Sequence, residues 1–340
     1  MPLEMMEAEP NQNEQPGDLL EKVSRSFYLT LRVLPPCIRH QIGLAYLLAR
    51  TSDTVADTGL VPAEKRLQAL QSLRQRISGA NKEPLDFGAL AREQSSTAEQ
   101  ILLERCEASL ASLESLETAD RELVRTVLDI IVSGQQLDLQ RFAGASSSQV
   151  IALRTDDDLN DYTYRVAGCV GEFWTRMCRA HVFTNAKLDD ALLLVQSVRF
   201  GKGLQLVNIL RDLAADLCIG RCYLPEEKLQ PLGLTPARLL DPGNESCLRP
   251  LYNRYLEQAK EHLMAGWAYT NALPARNIRV RLACAWPVLI GLQTLKLLHD
   301  GNMLDPRQRH KISRREVKKW MWRSVVYYPW PAAWRALAQR

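Results

Sequence analysis

"GLQLVNILRDLAADLCIGRCYLPEE", residues 203–227, decides how the chain is read. Residues three and four apart share a helix face, so Gln205, Asn208, Asp212 and Asp216 fall on one narrow polar stripe. Leu204, Leu206, Val207, Ile209, Leu210 and Leu213 take most of the remaining circumference. A helix this apolar elsewhere is expected to be buried, with its stripe turned to an internal cavity rather than to bulk water.

The same spacing occurs earlier in "LARTSDTVADTG", residues 48–59, where Asp53 and Asp57 are four apart. Tyr46, Arg50, Asp53 and Asp57 stack on one face, with Ile42, Leu44, Leu47 and Leu48 on or near the others. On an exposed helix such a pair is unfavourable by roughly a few tenths of a kcal/mol. Buried carboxylates without counter-charge cost far more, so four of them imply cations. Oxygen ligands with no nearby His or Cys suit Mg²⁺, which keeps waters and shares its shell with substrate phosphates. The metal-ligand candidates are therefore Asp53, Asp57, Asn208, Asp212 and Asp216. Arg50, Arg211 and Arg221 accompany the pairs and suit diphosphate oxygens. Two acidic helices beside an apolar cavity would hold a diphosphate head while the cavity holds a greasy tail. Metal charge would stabilise the leaving diphosphate, and a dry pocket would protect a carbocation.

Working outward, nearly every periodic stretch from Leu19 onward has the helical period, including residues 42–57, 63–77, 98–113, 121–142, 190–217, 248–273 and 277–301. Breaks fall at "LPPC", "TGLVP", "KEPLDFG", "LQPLGLTPARLLDPGNES" and "NMLDPRQ". Alternating strand patterns are absent. The expected fold is all-α: one helical bundle around a central apolar cavity, spanning residues 18–317, with no internal repeat. Residues 1–17 read as a disordered polar tail, and 318–340 as a Trp-rich basic segment.

Composition narrows the function classes. The 340 residues are 46% hydrophobic and 24% charged, with a formal net charge of +4, too mild to argue for nucleic acid. Eight cysteines follow no framework spacing; Cys218 and Cys222 lack a nearby histidine, so reduced thiols are expected. The acidic, polar N-terminus is not a signal or transit peptide. No run approaches the roughly 20 apolar residues expected of a membrane span. A cytoplasmic protein is expected.

Three further stretches resemble one family. "SRSFYLTLRVLPPCIRHQIGLAYLLARTSDTVAD" (24–57) resembles the opening of squalene and phytoene synthases. "DYTYRVAGCVGEFWTRM" (161–177) resembles their central Tyr–Val-Ala-Gly helix, and residues 203–225 their second aspartate motif. The likeness runs from about Val23 to about Arg315, in the family's order, and the "SRSF" and "ARTSDTVAD" forms look closer to squalene synthases.

The resemblance implies head-to-head joining of two farnesyl diphosphates through presqualene diphosphate, then reduction with NADPH to squalene. The alternatives are a dehydrosqualene or phytoene synthase without reductant, and a non-catalytic scaffold of the same fold. By position, Asp53, Asp57, Asp212 and Asp216 would hold Mg²⁺ and diphosphate, with Asn208 and Gln205 assisting. Ser24, Arg25, Arg50, Arg211 and Arg221 would contact diphosphate. Phe27, Tyr46 and Gln205 would belong to the prenyl pocket, and Tyr164 would sit near the reacting carbons. Two positions depart from the pattern: Ala215 stands where the family usually has Glu, and Arg165 where it is often aromatic or small. The second leaves Tyr162 as an alternative to Tyr164.

In "RHKISRREVKKW" (309–320), a solvated face is one reading; the resemblance makes Lys311, Arg314 and Arg315 nicotinamide-cofactor candidates. The C-terminal segment mixes four tryptophans with basic residues. It reads either as a docked helix or as a peripheral contact with the inner face of the cytoplasmic membrane. The histidines follow no ligand spacing.

Overall fold

The computed structural model describes residues 16–24, 27–308 and 310–339. The expected tail therefore lies almost wholly outside the described residues, with a helix already under way at Pro16. The helices are α1 (Pro16–Ser24), α2 (Phe27–Val33), α3 (Pro36–Asp57), α4 (Ala63–Ser78), α5 (Gly88–Arg92), α6 (Thr97–Glu104), α7 (Cys106–Glu114) and α8 (Thr118–Arg141). There follow α9 (Asp156–Thr163), α10 (Cys169–His181), α11 (Asp190–Cys218), α12 (Glu226–Leu229), α13 (Glu245–Ala272), α14 (Ile278–Asp300), α15 (Arg314–Tyr327) and α16 (Pro331–Arg335). The all-α expectation holds.

Local chemistry explains the boundaries. Pro36 opens α3, where its missing N–H costs nothing. Asp189 caps α11 by accepting from the Leu192 N–H at 3.0 Å. Reciprocal capping boxes, Thr155 with Asp158 and Ser313 with Glu316, start α9 and α15. The stretch 98–113, read as one helix, is two: the backbone leaves the helical region at Arg105 (φ −96°, ψ 13°). Two residue pairs also form a short parallel ladder, β1 (Ile151–Ala152) with β2 (Arg221–Cys222). It ties the chain after α8 to the chain after α11, and is too short to leave an alternating pattern.

Helix α11 runs through the middle, packed along α13 and against α10 and α14, while α8 packs on α3, α4 and α10. Between α9 and α10 the residues Tyr164–Gly168 form a π-helical turn. There and in α10 the chain crosses α11 backbone to backbone. A Cβ on Gly171 would lie 2.0 Å from the Ser197 carbonyl oxygen, and one on Gly201 would lie 2.2 Å from that of Ala167. The crossing thus needs glycine on both helices, which explains the small residues of "VAGCVG" and "FGKG".

Helix α14 is long and apolar enough by composition to cross a membrane, which corrects the sequence count. Its apolar residues are core instead: Val280, Leu282, Ala285, Val288 and Leu289 are all buried. The C-terminal segment joins the same core through Trp320, Trp334 and Leu337. Trp334 stacks on Trp267 and donates to Asn271 Oδ1 at 2.9 Å. The buried Arg281 guanidinium lies 5.2 Å from the ring centres of both Trp334 and Tyr328. All eight cysteines are free thiols, five of them buried.

Replacing Gly171 or Gly201 with alanine should cost about 1–3 kcal/mol or more, because backbone on both sides must move. Thermal unfolding of G171A and G201A should show clearly lowered midpoints; a midpoint equal to that of the unaltered chain would rule out the close crossing.

Candidate functional site

Helices α3 and α11 present their stripes as the periodicity predicts. On α3, Ile42, Leu44, Leu47, Leu48 and Val55 are buried, while Tyr46, Arg50, Asp53 and Asp57 keep accessible surface. On α11, Leu206, Val207, Ile209, Leu210 and Leu213 are buried. Gln205, Asn208, Asp212 and Asp216 line a cavity of about 630 Å³, and Asp57 faces the same space from α3. Ala215 is exposed and lies outside this lining, so its missing carboxylate takes nothing from this wall.

Helix α8 supplies a wall not anticipated from sequence. Gln135 Nε2 donates to Asp53 Oδ1, and Asp53 Oδ2 stands 3.8 Å from Arg50 Nη1. Asp138 Oδ2 accepts from the Tyr223 hydroxyl at 3.1 Å and faces Arg221 Nη1 at 3.4 Å. Asp138 Oδ1 and Gln135 Oε1 are buried without a hydrogen-bond partner. The signal for α8 was present, a carboxylate and an amide three apart in an apolar helix, but such pairs are common. Gln135 and Asp138 stand behind the lining, to which α8 itself gives Leu139; Arg66, Phe142 and Tyr223 line the cavity and carried no motif.

The charges are strained. Asp53 lies outside the cavity lining, although its side chain stays 48% accessible. Burial, then the neighbouring Asp57, push its carboxyl up to about 7. Burial and Asp212 push Asp216 up to about 7 as well, with Asp138 and Asp57 adding to the rise. Asp138 is raised to about 6, chiefly by burial and against the pull of Arg221. Asp57 is raised by burial, partly offset by Arg221, Arg50 and Arg66. That Asp216 responds to Asp57 and Asp138 as well as Asp212 puts carboxylates of three helices within electrostatic reach.

The other sequence candidates divide. Arg50 pairs with Glu99 of α6, and Arg211 grips Asp212 with Nε at 2.8 Å from Oδ1; neither lines the cavity. Arg221 does. Tyr162 lines the cavity with its ring stacked 4.7 Å from that of Tyr223, whereas Tyr164 lies outside the lining under the Lys202 ammonium at 5.7 Å. The aspartates therefore meet Tyr162 rather than Tyr164. The Tyr46 hydroxyl donates to the Val23 carbonyl at 3.5 Å, next to α1. Lys311, Arg314 and Arg315 are exposed and lie apart from this lining. Arg25 and the side chains of Ser24 and Phe27 lie outside the described residues.

Among the described residues no three Asp, Glu, His or Cys side chains converge to enclose a metal by themselves. An open, all-oxygen set still fits Mg²⁺, which takes only one or two carboxylates and completes its shell with water and phosphate. The side chains of Asp57 and Asp216 take no hydrogen bond or ion pair among the described residues, and the orphaned Gln135 and Asp138 oxygens add further acceptors.

A carboxyl whose pKa is raised by folding binds its proton more tightly in the folded state. Its contribution is fully present below the unfolded value and is lost as pH rises through the folded one. For Asp53 and Asp216 that loss spans the range from about 4 to about 7, so without divalent cation the unfolding midpoint should fall across it. Millimolar Mg²⁺ should shrink the fall, and the double variant Asp53→Asn with Asp216→Asn should flatten it. Differential scanning fluorimetry against pH checks this; identical curves for the variant and the unaltered chain would contradict it.

Comparison with known proteins accords with this geometry. The family described as squalene/phytoene synthase matches residues 20–316. The bifunctional lycopene cyclase/phytoene synthase of Colletotrichum graminicola is 31% identical over 248 residues, 72% of this chain and 39% of that protein. The chain thus spans about two fifths of that relative's length. The squalene synthase of Saccharomyces cerevisiae is 25% identical over 284 residues, 84% of this chain and 61% of that protein. The solved structure of TcSQS with a ligand superposes with a TM-score of 0.73 at 23% identity, over 91% of this chain and 84% of that one, a likeness of fold. With the match covering nearly the whole helical body and both aspartate motifs, the chain belongs to the squalene/phytoene synthase family.

Proposed function

We propose that this protein is a squalene synthase, joining two farnesyl diphosphates head to head through presqualene diphosphate and reducing the product to squalene with NADPH. The observation that supports the condensation is that Asp57 of α3 shares one cavity with Asp212 and Asp216 of α11, with Asp53 one turn behind Asp57. Asp53, Asp57, Asn208, Asp212 and Asp216 would hold Mg²⁺, which supplies positive charge to a departing diphosphate. Arg221 would bind diphosphate oxygens. Phe142, Tyr162 and Tyr223 give the cavity an aromatic side able to face a carbocation. Gln135 fixes the Asp53 carboxylate from behind.

The reductive step rests on likeness to squalene synthases. Lys311, Arg314 and Arg315 are the candidates for the cofactor's phosphates, and their surface position gives no contact with the cavity from which to derive a hydride path. A second reading, a synthase that stops at an unreduced product such as dehydrosqualene or phytoene, is favoured by the higher identity to a phytoene synthase relative. A scaffold role accords poorly with retention of all four aspartates.

We further place the protein at the inner face of the cytoplasmic membrane as a peripheral protein. Trp322 and Trp330 are 66% and 58% exposed, and Lys318 and Lys319 beside them are exposed too. Tryptophans with basic neighbours suit a membrane–water interface. Since Trp320 and Trp334 are core, deleting the segment would test folding rather than docking. Trp322→Ala with Trp330→Ala should instead reduce co-sedimentation with anionic liposomes while leaving the melt unchanged; equal pelleting would count against the surface.

Purified protein incubated with labelled farnesyl or geranylgeranyl diphosphate, with and without NADPH, should give squalene only from the shorter substrate with NADPH. Phytoene from the longer one would refute this reading in favour of the second. Asp53→Asn and Asp212→Asn should each lower turnover by about a hundredfold or more with the fold intact; unchanged turnover would remove the aspartates from the chemistry.

A further inference from the structure

The cations near the aspartates fall into two kinds. Arg50 and Arg211 each already pair with a carboxylate, Glu99 and Asp212. Arg221, which also meets Asp138 at 3.4 Å, and Arg66 line the cavity itself, one from β2 and the other from the first turn of α4. Arg66 sits in "AEKRLQALQ", part of the helical stretch 63–77, and carries no motif. In the fold its Nη1 donates to the Ala56 carbonyl at 2.5 Å, its Nε is buried without a partner, and it has no salt bridge among the described residues. Burial and the charge of Arg221 together hold it below the ordinary arginine range, with Asp57 offsetting only part.

Two guanidiniums from separate elements thus repel one another across the wall of a cavity built for charge. Bringing them together is unfavourable in the empty cavity and becomes favourable when an anion with several oxygens lies between them, which the planar forks of arginine match. We propose that Arg66 and Arg221 form a two-arginine seat for a diphosphate group on the Asp57 side of the cavity, with Arg66 a direct substrate contact. The identity of the anion rests on the function proposed above. The seat makes the site asymmetric: the Asp57 side offers arginines to substrate, while on the Asp212 side Arg211 is already engaged. A merely structural Arg66 would do no more than cap the end of α3 through Ala56.

Titration calorimetry with inorganic diphosphate and Mg²⁺ separates these roles, using the full chain, Arg66→Gln, Arg66→Lys and Asp212→Asn. Loss of a charge-assisted pair should weaken diphosphate binding by about tenfold to a hundredfold in R66Q. R66K, which keeps the charge and loses the fork, should fold normally and fall between, and KM for farnesyl diphosphate should rise in the same order. Affinity unchanged in both Arg66 variants would overturn the seat. If D212N then still lost Mg²⁺-dependent binding, the proposed function would stand without it. Failure of the unaltered chain to bind inorganic diphosphate with Mg²⁺ would overturn both.

Discussion

Carboxylates that cannot all be ionised in comfort gather on three helices around one space, and this constraint organises the molecule. Asp53 and Asp216 are pushed up to about 7 and Asp138 to about 6, with burial the leading cause each time. A fold tolerates such an arrangement only if the helices carrying it are held from behind. Here α3 and α11 bury rows of apolar residues behind their aspartates, and α11 is locked by its close crossing with α10. Under the proposed function, cations and an anionic substrate would relieve this repulsion.

Much of this was legible because the helical period exposes it. A polar stripe on an apolar helix is visible in 203–227 and 48–59 without any structure, and both helices appear with the expected faces. What escaped did so for physical reasons. Gln135 and Asp138 are two among many polar residues on α8, and Arg66 lies in a stretch rich in charge. Neither is distinctive until the chain turns back and places α4, α8 and β2 beside α11. Tyr162 and Tyr164 are alternatives in the sequence because Arg165 departs from the family's pattern, and the backbone adds a second reason. The π-helical turn at Tyr164–Gly168 changes the angular step per residue, so projection on a regular helix does not say which ring faces the aspartates.

The C-terminal segment shows how one composition can serve two ends. Of its four tryptophans, Trp320 and Trp334 complete the core while Trp322 and Trp330 face outward. The docked reading holds for Trp320 and Trp334, and the interfacial one is a proposal that concerns Trp322 and Trp330 alone. On the peripheral-membrane proposal, such a surface would suit an enzyme that handles long apolar chains.

The central claim is that the aspartates of α3 and α11 hold diphosphate and divalent cations jointly. A crystal structure with a non-ionising farnesyl thiodiphosphate and Mn²⁺, using the anomalous signal of the metal, tests it most directly. Metal peaks beside Asp53 or Asp57 and beside Asp212 or Asp216, with the diphosphate between them, are the expected result. An analogue bound elsewhere, or metal on one helix alone, would contradict it.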